Sequence, residues 1–445
     1  MHRYGRKGLT MIRLSPALQK LATLQRCVLL LLCLMGLAAP ALADITASSA
    51  SDVCSPTADP CVVTTNVNIV DGSTLDFGTR GLTLQTSGRL TIGAGSSTVL
   101  CGDLTLQSWS YPRIVVRDTV GQGYDGGHGI IISRGSCSGD SSVPCLYDDD
   151  CQVVSAGSCS AGTGNMIINA DILGWADPAG TIELTAHGNV TSTHTITMSN
   201  GNYDDADGGV IRINTTSGSI TTGDLVTVHG GNTAGGGTLW ISSATTLTVN
   251  AELNAVGGSD AGGSIILHAG GDITLNAPVN AYSGWGSGNG GTVDLRSDNS
   301  ITIGSSRTVN TSGHRDNSTG INGSGGEQRY AAAGSITVNN NAQLLSSAAN
   351  TTSAGYGGTI ELSGCAVSIN SGVAVQANGN TGGTIQIKGG DSVTVNNSST
   401  ITVDSSGTNS QTTAVSSTGN VSIGSQAVFT PSATVLQDAG LPACQ

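Results

Sequence analysis

One phrase recurs along this chain and limits what it can fold into: two glycines, one residue, then apolar, any, apolar. It reads Gly208-Gly209-Val210-Ile211-Arg212-Ile213, then Gly236-Gly237-Thr238-Leu239-Trp240-Ile241, Gly262-Gly263-Ser264-Ile265-Ile266-Leu267 and Gly290-Gly291-Thr292-Val293-Asp294-Leu295. Looser copies open at Gly325-Gly326, Gly357-Gly358 and Gly382-Gly383, so the second glycines stand at 209, 237, 263, 291, 326, 358 and 383. Self-similarity at a period of about 20–50 residues is the signature of stacked repeats.

Two companion phrases keep a fixed order behind each glycine pair. The first is polar, apolar, Thr or Ser, apolar, as in Thr246-Leu247-Thr248-Val249, Asp272-Ile273-Thr274-Leu275, Ser300-Ile301-Thr302-Ile303 and Ser392-Val393-Thr394-Val395. The second is aliphatic, polar, small, as in Leu253-Asn254-Ala255, Val279-Asn280-Ala281 and Val375-Gln376-Ala377. Alternation at period 2 indicates strands with one buried face, and no intervening stretch has the length or period of a crossover helix. Three short strands per repeat predict one coil of a right-handed, single-stranded parallel β-helix, an all-β solenoid with N- and C-terminal caps. One coil cannot bury its own apolar face, so stacking is what folds it. The glycines are expected to supply positive-φ corners.

Residues 1–43 have the pattern of a secretory leader. Arg3, Arg6, Lys7, Arg13, Lys20 and Arg26 precede an apolar core over 28–37, and Ala41-Leu42-Ala43 reads as a cleavage site. The apolar core is too short for a membrane span, so no integral membrane segment is expected in the mature chain. The expected location is extracellular or the outer cell surface.

The chain has 30 acidic and 17 basic residues, and six of the basic ones lie in the leader. The remainder is strongly acidic, which argues against nucleic-acid or anionic-membrane partners. About 400 residues would suggest several domains, but a solenoid grows along one axis. The expected organisation is a cap with first irregular coils over 44–134, a cysteine-rich insert over 135–164, regular coils over 165–423, and a covering tail over 424–445.

Nine of the 11 cysteines follow the leader. Cys54 and Cys61 are expected to pair in a cap loop. Cys137, Cys145, Cys151 and Cys159 predict two disulfides within the insert, with connectivity that spacing does not give. Zinc is the alternative, although no close Cys-x2-Cys pair or histidine accompanies them. Cys101, Cys365 and Cys444 remain, and the odd total requires at least one free thiol.

Three sets of outward positions could carry function. Thr191, Thr221, Thr248, Thr274, Thr302, Thr337, Ser368, Thr394 and Ser422 form a hydroxyl column on the middle strand. Stacked threonines are good strand residues, and a regular hydroxyl lattice could also dock ice. Thr227, Asn254, Asn280, Asn310, Gln376 and Asp404 form a column on the third strand, read as amides bonding one another along the axis or as a sugar-binding face. Loops before the glycine pairs should stack along one edge, where binding concentrates. Their candidates are Tyr203, Asp204, Asp205, Asp207, Trp285, His314, Arg315 and Asp316. Asp204, Asp205 and Asp207 could hold Ca²⁺, though Tyr203 stands where an EF-hand loop needs a ligand. No other cofactor is implied.

Enzymes on β-helices act on polysaccharides, and a glycosidase needs two carboxylates across one bond. Glu183, Asp294 and Glu361 share the outward slot of the first strand with Arg212 and Gln386, but in different coils. The repeat, in its Gly-Gly-x-Ile-x-Leu and Asp/Ser-Ile-Thr-Leu phrases with a Val-Asn-Ala-x-Gly ending, resembles the β-helix of filamentous-haemagglutinin-like adhesins and related exported bacterial proteins over about residues 165–423. That resemblance implies the fold and an adhesive or structural role. It carries over no catalytic residue, and that family's secretion domain and membrane barrel are not evident. A non-catalytic surface protein that binds glycans or a cell or matrix surface is therefore expected, with a polysaccharide lyase or glycoside hydrolase as the alternative and ice binding third.

Overall fold

A computed structural model describes residues 44–437 except 94, 117–126, 161, 176–179, 200–205, 315–321, 350–354, 404–411 and 431–433. The chain forms a parallel β-solenoid, as the repeats predict. In one regular coil the first strand is Val210–Thr215, the middle strand Ile220–Thr222 and the third Val226–Thr227. The third strands stack into one 14-stranded ladder, and the first and middle strands form a second sheet bent around a corner.

Register follows the phrases. Val190, Ile220, Leu247, Ile273, Ile301 and Ile336 pair in succession, each almost fully buried, and form one wall of a continuous core. The Thr column pairs in the order expected from Thr191 to Ser422 and extends backwards through Ile167, Thr105 and Thr83. One coil departs from the aliphatic rule. Gln328 lies where its neighbours have Val293 and Ile360, and it is fully buried. Its amide donates to the carbonyls of Leu345 and Val309 at 2.8 and 3.1 Å, and the Tyr330 hydroxyl donates to its Oε1 at 2.9 Å. A buried amide is tolerated where its hydrogen bonds are met.

The glycine pairs have a different role from the one expected. Among the described residues, positive-φ glycines occur at positions such as Gly72, Gly286 and Gly372, and none belongs to a pair of the repeated phrase. The pairs permit close approach instead. The N–H of the second glycine donates to the carbonyl just past the third strand of the preceding coil: Gly237 to Val228 at 2.8 Å, Gly263 to Ala255 at 2.7 Å, Gly291 to Ala281 at 2.7 Å. A Cβ on Gly208, Gly236, Gly262 or Gly290 would run into that carbonyl or the next coil's backbone. The pair thus pinches the coil shut beneath each loop, and loops of different length leave the stack undisturbed.

The mixed polar position two residues before the Thr column has a structural role. Asn189 Oδ1 accepts from the Ser219 N–H at 2.8 Å, and Asp272 Oδ1 from the Ser300 N–H at 3.1 Å. Each bridges a corner where the ladder lapses. The third-strand amides do not form the axial ladder expected of them. Asn254 and Asn310 accept from the N–H two residues on, at 3.0 Å each, and Asn280 donates to Glu252 at 2.7 Å. Thr402, not Asp404, pairs with Gln376, and Asp404 lies outside the described residues. Axial amide bonds occur in the turn after the middle strand instead, from Asn276 to Asn250 and along Asn396, Asn370 and Asn339 at 2.9–3.1 Å. There the side chains leave the strand and are free to reach along the axis.

The insert enters at the corner between the first strand His128–Ser133 and the middle strand Met166–Ile168. It holds a two-stranded antiparallel ribbon and a short helix, Asp148–Val153. Its four cysteines are buried and form disulfides Cys137–Cys151 and Cys145–Cys159, so the sulfurs a zinc ion would need are already paired. Cys54–Cys61 also forms, and Cys365 is disulfide-bonded. Cys101 is the free thiol among the described residues, and burial pushes its pKa up to about 12. The insert's own core is little more than its cystines, whereas the solenoid is held by stacking. Reduction is therefore expected to loosen residues 135–160, at about 2–4 kcal/mol per bridge, while the β-sheet signal persists. Hydrogen exchange on the reduced protein checks this.

Candidate functional site

The outward face of the first-strand sheet gathers the chemistry. Its central column reads Glu183, Arg212, Trp240, Ile266, Asp294, Arg329, Glu361 and Gln386, each in register with the next. The strand pleat aims every second side chain outward, and the ladder sets these about 4.8 Å apart. The shared slot of Glu183, Asp294 and Glu361 is thus present. Trp240 lies in the same slot, in plain view within the repeated phrase, and the sequence reading passed over it.

Around Trp240 the face is concave. A groove of about 180 Å³ is lined by Glu183, Arg212, Ile213, Asn214, Trp240 and Ser242. Trp240 is 44% exposed, although a large aromatic side chain usually gains by burial. Next to it, Ser242 lies 3.5 Å from His268 Nδ1, which extends the polar rim. Charge is arranged unevenly along the column. Arg296 clasps Asp294 and Arg329 clasps Glu327, each at 2.7 Å, and Lys388 clasps Glu361. Glu183 and Arg212 are neighbours in register, no ion pair joins them, and both line the groove.

The carboxylates are poorly placed for hydrolysis. Glu183 and Asp294 are four coils apart, about 19 Å, beyond the roughly 5–10 Å that glycosidase pairs span. Asp294 and Glu361 are closer, but each is held by a cation.

The loops do stack along one edge. Gly258 N–H donates to Ala234, Trp285 N–H to Gly258 and His314 N–H to Gly288. Trp285 is 63% exposed there, and His314 Nδ1 lies 3.1 Å from the Gly286 carbonyl. Asp207 accepts from the Gly235 N–H at 2.7 Å, so it secures the next loop. Tyr203, Asp204, Asp205, Arg315 and Asp316 lie outside the described residues, as does the leader. Of the described loop candidates, the side chains of Asp207 and His314 both bond to loop backbone. Among the described residues no helix is long and apolar enough to cross a membrane.

No family model, curated protein or solved structure matches this chain. The functional reading therefore rests on the solenoid and its groove.

Proposed function

We propose that the protein is a secreted or cell-surface β-solenoid that binds glycans in an adhesive or structural role, without turning them over. The observation that carries this reading is the half-exposed Trp240 in a groove with Glu183, Arg212, Asn214 and Ser242. A flat aromatic face takes the apolar side of a sugar ring, and a few fixed polar groups beside it take the hydroxyls. The leader-like segment and the acidic, lysine-poor composition agree with export. The repeat phrases support kinship in architecture with filamentous-haemagglutinin-like adhesins. Calcium on the Asp207 loop is a separate proposal that the glycan reading does not need.

Glycan-array profiling of the mature protein and of Trp240→Ala tests the reading. The wild type is expected to bind a defined subset of glycans, and the variant to lose about tenfold or more in affinity. An unchanged melting temperature would accompany that loss, because the residue is on the surface. Equal profiles for the two proteins would remove the groove from consideration. Turnover of any bound glycan, abolished by Glu183→Gln, would replace binding with catalysis.

A further inference from the structure

Two polar residues beside the groove are buried although no strand face buries them. Thr185 faces outward two residues after Glu183, and His187 lies in the bend just past that strand, yet they are 7% and 4% exposed. The cysteine insert packs on His187. Its Leu146 carbonyl accepts from the Thr216 hydroxyl at 2.7 Å and lies 3.0 Å from His187 Nδ1. Thr216 is two residues beyond Asn214, which lines the groove, about 7 Å along the strand. The insert therefore rises from the solenoid face immediately beside the groove.

The residue after that anchored carbonyl is Tyr147. Its N–H and that of Leu146 donate to Asp150 Oδ2 at 3.0 and 2.7 Å, which fixes the backbone at the start of the short helix. Those two bonds hold the Asp150 carboxyl below its ordinary range. The side chain of Tyr147 is 56% exposed. A second exposed aromatic side chain is thus carried on a disulfide-stapled support whose anchor, Thr216, stands four residues past Arg212, the register partner of Trp240, or about 13 Å along the chain.

We propose that the cysteine insert is the specificity wall of the groove, with Tyr147 contacting a later sugar unit of an oligosaccharide whose first ring packs on Trp240. The proposal rests on the glycan-binding reading and adds chain-length selectivity to it. A flat sheet face alone would admit single rings and long chains alike. A fixed aromatic wall rewards only ligands long enough to reach it, and its staples keep it ordered before binding.

Calorimetric titration with xylo-, cello- and galacturono-oligosaccharides of two to six units tests this, with xylose, glucose and galacturonic acid as single-ring controls. Tyr147→Ala is expected to weaken binding of the longer ligands about fivefold or more and to leave single rings unchanged. A Cys145→Ser, Cys159→Ser double variant, which frees the wall while the solenoid remains, should do the same. Trp240→Ala should weaken every length. Wild-type affinities in both insert variants, alongside a loss in Trp240→Ala, would overturn the wall and leave the groove standing. A wild type that binds none of these ligands, on an array as well as in titration, would overturn both.

Discussion

Ile273→Asp is expected to destabilise the middle of the solenoid by about 4 kcal/mol or more, whereas Thr274→Asp next to it costs less than about 1 kcal/mol. The two positions differ in direction only. Ile273 is fully buried between Leu247 and Ile301 of the adjoining coils, and Thr274 faces out between Thr248 and Thr302. A carboxylate at 273 would be enclosed by aliphatic side chains without a partner, so it must ionise in an apolar core or take up a proton on folding. At 274 it remains hydrated. Because each coil is stabilised by its neighbours, the damage should spread along the stack rather than stay local. Denaturant unfolding followed by circular dichroism gives both midpoints. Equal shifts would mean that the strand faces are reversed.

That contrast also marks how far the sequence could be read. Burial in a strand is a period-2 property, so Ile273, Thr274 and Leu275 declare their faces within three residues, and nine coils repeat the statement. Positions that depend on what lies across the coil are silent in the sequence. Asn254 and Asn280 look like members of a stacking amide column, yet Glu252 and the local backbone are nearer partners than the next amide along the axis. Asp207 reads in the sequence as one of three acidic loop residues, and its bond to the N–H of Gly235 in the next loop depends on a neighbour across the coil. The groove was half legible. Register alone predicts that Glu183, Arg212 and Trp240 adjoin, and the outward slot of the opening phrase was the place to find them. The docking of the insert on His187 and Thr216 could not be read, because it joins segments about 40 and 70 residues apart through one carbonyl.

Gly236→Ala is the second large effect expected, and Gly235→Ala beside it is its control. Both lie in the same run of three glycines, and neither has positive φ. A methyl group on Gly236 would be driven into the Ala255 carbonyl oxygen and against the Gly263 N–H, the two partners of the 2.7 Å bond that closes the loop after this coil. Backbone surrounds it, so no side chain can turn aside. The coil must either open that bond or shift the first strand that carries Trp240. We expect a loss of about 3 kcal/mol. A methyl group on Gly235 meets Asp207 Oδ1 at 3.3 Å and the Ala261 carbonyl at 3.5 Å, where a side-chain carboxylate can give way. Its cost should stay below about 1 kcal/mol. Strain at Gly236 bears on the groove as well, since Trp240 follows four residues later on the strand that the pinch positions. Gly236→Ala should therefore weaken glycan binding at temperatures where the protein is still folded, and Gly235→Ala should not. Thermal unfolding and titration of the two variants separate the outcomes. If both are as stable as the wild type, the glycine pairs are not close-approach positions.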